Sequence, residues 1–170
     1  DSTFDSGNNK IIVTYQHAGT ASHGKAVVAT ISGTDVSFGT KATFNSASTT
    51  FTAIDYIGSS KVLIAYKDSG NSHYGTAIVG TVSGTDISFG SEFIFNSANS
   101  GDRITVSYDS SRDKSFIAYS DAGNNEYVAI SGATVSGTNI TFDTQAVLNS
   151  VASVSVTAMY IPDGNYIVVW

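Results

Sequence analysis

Between Lys61 and Tyr66 the chain reads KVLIAY, an apolar run with no polar alternation after the lysine. Such a run fits a strand buried on both faces. Upstream, FTAIDYI (Phe51–Ile57) is strand-like and is separated from it by Gly58-Ser59-Ser60. Downstream, Asp68-Ser69-Gly70-Asn71-Ser72 punctuates the pattern before TAIVGTV (Thr76–Val82). Then Ser83-Gly84-Thr85-Asp86 links to ISFGSEFIF (Ile87–Phe95), where Ile87 and Phe89 alternate with Ser88. The pattern predicts four strands, a to d, joined by tight turns. Gly70 and Asn71 are expected to take the positive φ of the b–c turn. Gly84 sits in a c–d hairpin, and Gly90 marks a bulge that re-aims strand d.

The same pattern occurs three times. Lys10–Ser46, Lys61–Ser97 and Lys114–Ser150 align directly, with Tyr15, Tyr66 and Tyr119 equivalent, then Gly33, Gly84 and Gly137, then Asn45, Asn96 and Asn149. The spacing is 51 and then 53 residues. A fourth copy supplies a strand a (Val154–Tyr160) and a strand b (Asn165–Trp170), with Trp170 at the tyrosine position. The units are therefore set at about 1–48, 49–100, 101–152 and a partial 153–170. Tyr15, Tyr66, Tyr119 and Trp170 end apolar strands and are expected in the core.

Four antiparallel strands in a repeat of this length predict an all-β fold, a β-propeller-like array of three blades and part of a fourth. A β-trefoil is the alternative, but a closed threefold barrel has no place for the extra strand b. Three and a half blades do not close a propeller, and an open apolar edge invites association. The chain is thus expected to be part of a longer polypeptide, or to be completed by other copies of itself.

Composition supports strands and narrows the chemistry. Leu and Glu occur twice each and Pro once, whereas Ser, Thr, Gly, Val, Ile, Tyr and Phe abound, which disfavours helix. The net charge is −6 with only two arginines, Arg103 and Arg112, which argues against nucleic-acid binding. There is no cysteine, so disulfides and thiolate metal sites are excluded. No apolar run approaches the ~20 residues of a membrane-spanning helix. A surface with only 13% charged residues is built mostly of hydroxyls and amides.

Candidate chemistry sits on the b–c turns. Tyr66-Lys67-Asp68-Ser69-Gly70 and Tyr119-Ser120-Asp121-Ala122-Gly123, followed by Tyr74 and Tyr127, resemble the Asp-box of sialidase-type propellers. The pattern departs from it: Tyr stands where Ser or Thr belongs, the aromatic comes one residue late, and the first unit has His17 and His23 at the Asp and Tyr positions. In Asp-box families this loop braces the hairpin, so the resemblance implies structural aspartates. Alternatively His23, Asp68, Tyr74, Asp121 and Tyr127 form a ligand-binding set, repeated aromatic and carboxylate groups that stack on sugars and hold their hydroxyls. The arginine triad of a sialidase cannot be assembled from two arginines. The aspartates fall mostly in turns, with no isolated carboxylate pair of the kind glycosidases use. Three histidines without cysteine make no metal centre, and no cofactor is called for.

The repeats, exemplified by GTAIVGTVSGTDISFGSEFIFNS, resemble β-propeller segments of large proteins of marine microbes and their phages. The resemblance implies a tail-fibre or surface-adhesion role and an extracellular or virion location, and does not imply an enzyme. Two functions follow: a recognition module whose partners are glycans or a cell surface, or a structural scaffold. A fragment of a glycosidase-like propeller enzyme is the more distant third.

Overall fold

The computed structural model describes residues 1–152, 155–161 and 165–169, with side chains as far as residue 159. It is all-β. Among the described residues there is no α-helix, only two 3₁₀ turns, Ala18–Thr20 and Ala122–Asn124. The strands are β1 (Ser2–Asp5), β2 (Lys10–His17), β3 (His23–Ser32), β4 (Asp35–Phe38), β5 (Ala42–Tyr56), β6 (Lys61–Asp68) and β7 (Tyr74–Ser83). They continue as β8 (Asp86–Asp109), β9 (Lys114–Asp121), β10 (Tyr127–Ser136), β11 (Asn139–Phe142), β12 (Ala146–Asn149), β13 (Thr157–Ile161) and β14 (Asn165–Val169).

β1 to β12 form one antiparallel hydrogen-bonded path that does not close on itself, and β13–β14 form a separate hairpin. The path is continuous because β5 and β8 each serve two neighbours. Up to Ser48, β5 pairs with β3, and from Thr49 it pairs with β6. β8 pairs with β7 up to Asn99 and with β9 from Ser100. Strands d and a, read from the sequence as separate, are thus one extended strand. The joint is stitched to the b–c loops: Thr49 N–H donates to Ser22 O and Ser100 N–H to His73 O, both at 2.9 Å. Asn45 and Asn96 shape it, each accepting the N–H of the residue two further on, Ala47 (2.8 Å) and Ala98 (3.0 Å).

The result is three four-stranded antiparallel units whose faces pack on one another. In β6, Val62, Ile64 and Tyr66 join a core with Ile12, Ala26, Val28 and Phe44 of the first unit. Leu63 and Ala65, on the opposite face of the same strand, join a core with Val106, Ile117, Tyr119 and Ala129 of the third. A smaller core joins Ala118 and Val128 to Val156 and Ala158, on and beside β13. This double burial is why KVLIAY carries no alternation. Phe44 packs against Tyr66 (5.1 Å between centroids) and Phe89 (5.8 Å), and Phe95 repeats this against Tyr119 (5.0 Å) and Phe142 (6.1 Å).

Tyr66 and Tyr119 are fully buried, as expected. Tyr15, at the equivalent position of the first unit, is half-buried. Trp170, and the expected start of the last strand a at Val154, lie outside the described residues.

Glycine acts here in two ways. Gly33, Gly84 and Gly137 take φ of 63°, 63° and 65° as the first residue of two-residue c–d hairpin loops, where a side chain is disfavoured. Gly90 lies in a register shift of the β7–β8 ladder, as the sequence indicated. It also makes room for the next unit: a Cβ there would stand 2.6 Å from Thr138 Cβ. Gly39 does the same against the Thr85 backbone.

The first strand of each unit has a free edge, which side chains of the preceding unit satisfy. Tyr56 N–H donates to Thr3 Oγ1 (3.1 Å), and at the equivalent place Tyr108 N–H donates to Asp55 Oδ2 (2.8 Å). Asp1 Oδ2 likewise accepts from Ile54 N–H at 3.0 Å. Burial raises the Asp55 carboxyl above the ordinary carboxylate range, opposed by hydrogen bonds from Tyr108, Tyr56 and Thr3.

Two predictions follow from this packing. Phe95→Ala removes a ring inserted between units and should cost about 3–5 kcal/mol in denaturant unfolding. Leu148→Ala, at the same repeat position but exposed, should cost less than about 1 kcal/mol. For Asp55, the folded state keeps its proton above pH 3.8, where the unfolded chain has lost its own. Stability from this group therefore falls as pH rises through that window. Asp55→Asn, which does not titrate, should remove that part of the decline when unfolding is measured from pH 3.8 upward.

Candidate ligand-binding rim

Asp68 and Asp121 end β6 and β9, and both are buried. Asp68 Oδ1 accepts the Gly70 N–H (3.1 Å) and Asp121 Oδ1 that of Gly123 (3.2 Å). Asp121 also receives Asn96 Nδ2 on Oδ1 and Gln145 Nε2 on Oδ2, each at 3.1 Å. These carboxylates brace the b–c turn and tie it to the d–a joint, and they are turned away from solvent. His17, at the same position in the first unit, holds its loop through Nδ1 and Thr20 Oγ1 at 3.0 Å.

The turn itself differs from the sequence expectation. Positive φ falls two residues later than Gly70 and Asn71, on Ser72 (55°) and His73 (61°). Ala21-Ser22 and Asn125-Glu126 repeat this pair in the other units. Gly70 is required for space instead, since a Cβ on it would overlap Ala47, as one on Gly123 would overlap Ala98. The physical reason is packing: the turn's glycine is pressed on the d–a joint, and the left-handed turn that feeds strand c is displaced onto residues with side chains.

His23, Tyr74 and Tyr127 are the first residues of β3, β7 and β10, half-buried and directly across from His17, Asp68 and Asp121. One stands on each unit, and none lines the cleft described next. The five-residue set read from the sequence is therefore three separate hairpin ends. Among the described residues no three His, Asp or Glu side chains cluster in a way that could hold a metal ion.

The structure draws a different group together. A cleft of about 410 Å³ opens between the second and third units, lined among others by Lys67, Asn99, Asp102, Arg103, Ser120 and Glu126. It lies where strand a begins. The β8–β9 ladder skips Gly101, Asp102 and Arg103, and the β5–β6 ladder skips Phe51 and Thr52. The third unit thus carries one residue more at this bulge, which projects Asp102 and Arg103 into solvent. Lys67 Nζ lies 3.1 Å from Asp102 Oδ1 and 5.8 Å from the centroid of Phe51. Arg103 Nη1 donates to the Asp102 carbonyl at 2.6 Å.

Phe51 is exposed and has φ of 52°, a conformation that a bulky side chain adopts only at a cost. Glu126, on the other side of the cleft, is left-handed as well, at 59°. The cleft therefore presents two cations, two carboxylates and the Asn99 amide, with the Phe51 ring beside Lys67. Donors and acceptors stand beside an apolar ring face with the charges balanced. Sequence reasoning passed over these residues because it favoured positions shared by all units, whereas this rim is where the units differ. Lys67 is replaced by Gln16 and Ser120, and Phe51 has no counterpart in the longer bulge. The signal was the departure from the repeat.

Relief of the left-handed strain can be measured directly. Glu126→Gly should leave stability unchanged or raise it by up to about 1 kcal/mol in thermal or denaturant unfolding, since glycine tolerates this conformation. Gly123→Ala, three residues earlier in the same loop, should be destabilising by comparison, because a Cβ there would overlap Ala98. Compared with known proteins, the chain matches no family model, no curated protein and no solved structure.

Proposed function

We propose that this chain is a non-catalytic recognition module of the β-propeller type, and that it binds a neutral, hydroxyl-rich carbohydrate at the cleft between its second and third units. The carrying observation is the composition of that cleft. Lys67 and Arg103 are balanced by Asp102 and Glu126, so no net charge selects an ionic ligand. Paired donors and acceptors suit vicinal hydroxyls, and the exposed Phe51 ring supplies a stacking face.

Face-to-face packing of successive four-stranded units supports the propeller reading over a β-trefoil, because blades stack through their faces whereas trefoil units share one barrel. A surface rich in Ser, Thr and Asn supports an extracellular or virion setting. A second reading, a scaffold that recognises nothing, draws on the repeated unit-to-unit packing, which by itself builds a rigid body.

The experiment is a glycan array probed with the labelled chain, followed by calorimetry on any hit. Binding is expected to persist in high salt, and Phe51→Ala and Asp102→Ala should each weaken it at least tenfold, about 1.4 kcal/mol. Their melting temperatures should stay close to wild type, both residues being exposed. A folded chain that binds nothing on the array would favour the scaffold, and release of free sugar from a bound glycan would favour an enzyme.

A further inference from the structure

The gap between the first two units is filled at the end where strand a turns into strand b. Asn8, in the a–b turn of the first unit, donates Nδ2 to Ser60 Oγ of the second at 2.8 Å. Its neighbour Gly7 lies so close to Tyr56 that a Cβ on it would stand 2.9 Å from the phenol oxygen. Val82, on β7 of the second unit, packs in the core shared with the first and is 4% exposed.

The same gap between the second and third units is left open, because the turn facing it is one residue shorter. Six residues separate Phe4 from its ladder partner Ile11 and Tyr108 from Ser115, but five separate Tyr56 from Val62. Among the described residues, no side chain of Ile57-Gly58-Ser59-Ser60 hydrogen-bonds to the third unit. What remains is a pocket of about 120 Å³, lined among others by Lys61, Tyr108, Asp113 and Val135. Val135, the counterpart of Val82, is half-buried. The pocket lies at the far end of β6 from Lys67 and shares no residue with the cleft there.

Two polar groups on its wall lack the partners their repeat equivalents have. Asp113 holds the place of Ser60. Its Oδ1 accepts the Tyr108 hydroxyl at 2.8 Å, and its Oδ2 has no partner among the described residues. Lys61 begins β6 as Lys10 begins β2 and Lys114 begins β9. Lys10 Nζ donates to Thr30 Oγ1 at 2.8 Å and Lys114 pairs with Asp143, but Lys61 Nζ has no partner among the described residues. Where the first gap joins an amide donor to a hydroxyl, the second offers a carboxylate without its donor and an ammonium without its acceptor.

We infer that this pocket binds a small zwitterionic amino acid, its ammonium on Asp113 in the place that Asn8 takes on Ser60, and its carboxylate on Lys61. Size and charge select this class. A cavity of about 150 Å³ holds a benzene ring, so a pocket of about 120 Å³ suits glycine or alanine and is too small to enclose a sugar. A simple cation or anion would leave one of the two groups unpaired. The inference stands independently of the carbohydrate reading, which concerns the other end of the units.

Proton–nitrogen correlation NMR of the chain titrated with glycine tests it, with acetate and methylammonium as the two half-ligands. Glycine should shift the amides of Lys61, Asp113 and Ser115 saturably, with half-saturation below about 10 mM, and leave those of Lys67 and Asp102 unmoved. Each half-ligand should bind at least tenfold more weakly. Lys61→Met and Asp113→Asn should each weaken glycine binding at least tenfold while their spectra stay dispersed. Asparagine is chosen because it tolerates the left-handed φ of 51° at this position. No saturable shift in the wild type up to about 100 mM glycine would overturn the inference. So would shifts centred elsewhere, a half-ligand that binds as tightly as glycine, or full glycine affinity in either variant.

Discussion

The structure depends on the burial of both faces of its second four-stranded unit. A sheet apolar on one side can stand with the other side in water, but β6, with Val62, Ile64 and Tyr66 on one face and Leu63 and Ala65 on the other, cannot. This unit needs a neighbour on each side to bury its apolar faces, in the manner of repeat proteins generally. The close contacts of Gly39 and Gly90 with the next hairpin, and the aromatic rings seated in the next unit's slot, are consequences of that need.

Polar groups are arranged around this packing. Where a strand edge is left unpaired, the preceding unit offers Thr3 or Asp55 to accept its N–H. Where the chain passes from one unit to the next, Asn96 and Asp121 hold the joint against the b–c turn. These buried contacts contribute less net stability than the apolar faces, but leaving any of them unmade costs a desolvated, unpaired group. They set the spacing between units, and with it the width of the cleft in which Lys67, Asp102 and Arg103 stand.

Stability and the proposed recognition fall on different parts of the repeat. Positions shared between units are spent on structure: the tyrosines, the hairpin glycines and, in the second and third units, the turn aspartates. Positions that vary, such as Phe51, Lys67 and the Asp102-Arg103 bulge, lie at the rim and carry side chains the packing does not need. The left-handed residues beside them, Phe51 and Glu126, are strained where glycine would have served. This arrangement is expected where a side chain is kept for what it presents to solvent.

The all-β class, the four-strand repeat, the hairpin at Gly84 and the burial of Tyr66 were legible in the sequence, because each follows from local periodicity and turn chemistry. The candidate site was not. His23, Tyr74 and Tyr127 recur at one position, the first residue of strand c, one in each unit. The proximity of Lys67 to Asp102 arises between units, from residues 35 positions apart. Likewise the sequence placed glycine in the b–c turn, but only packing decided its task, since contact with Ala47 is invisible to local patterning. What the chain determined alone is the strand order and the need to stack. Which side chains meet at a rim, and which gap between units is left open, depended on how the stacked units come together.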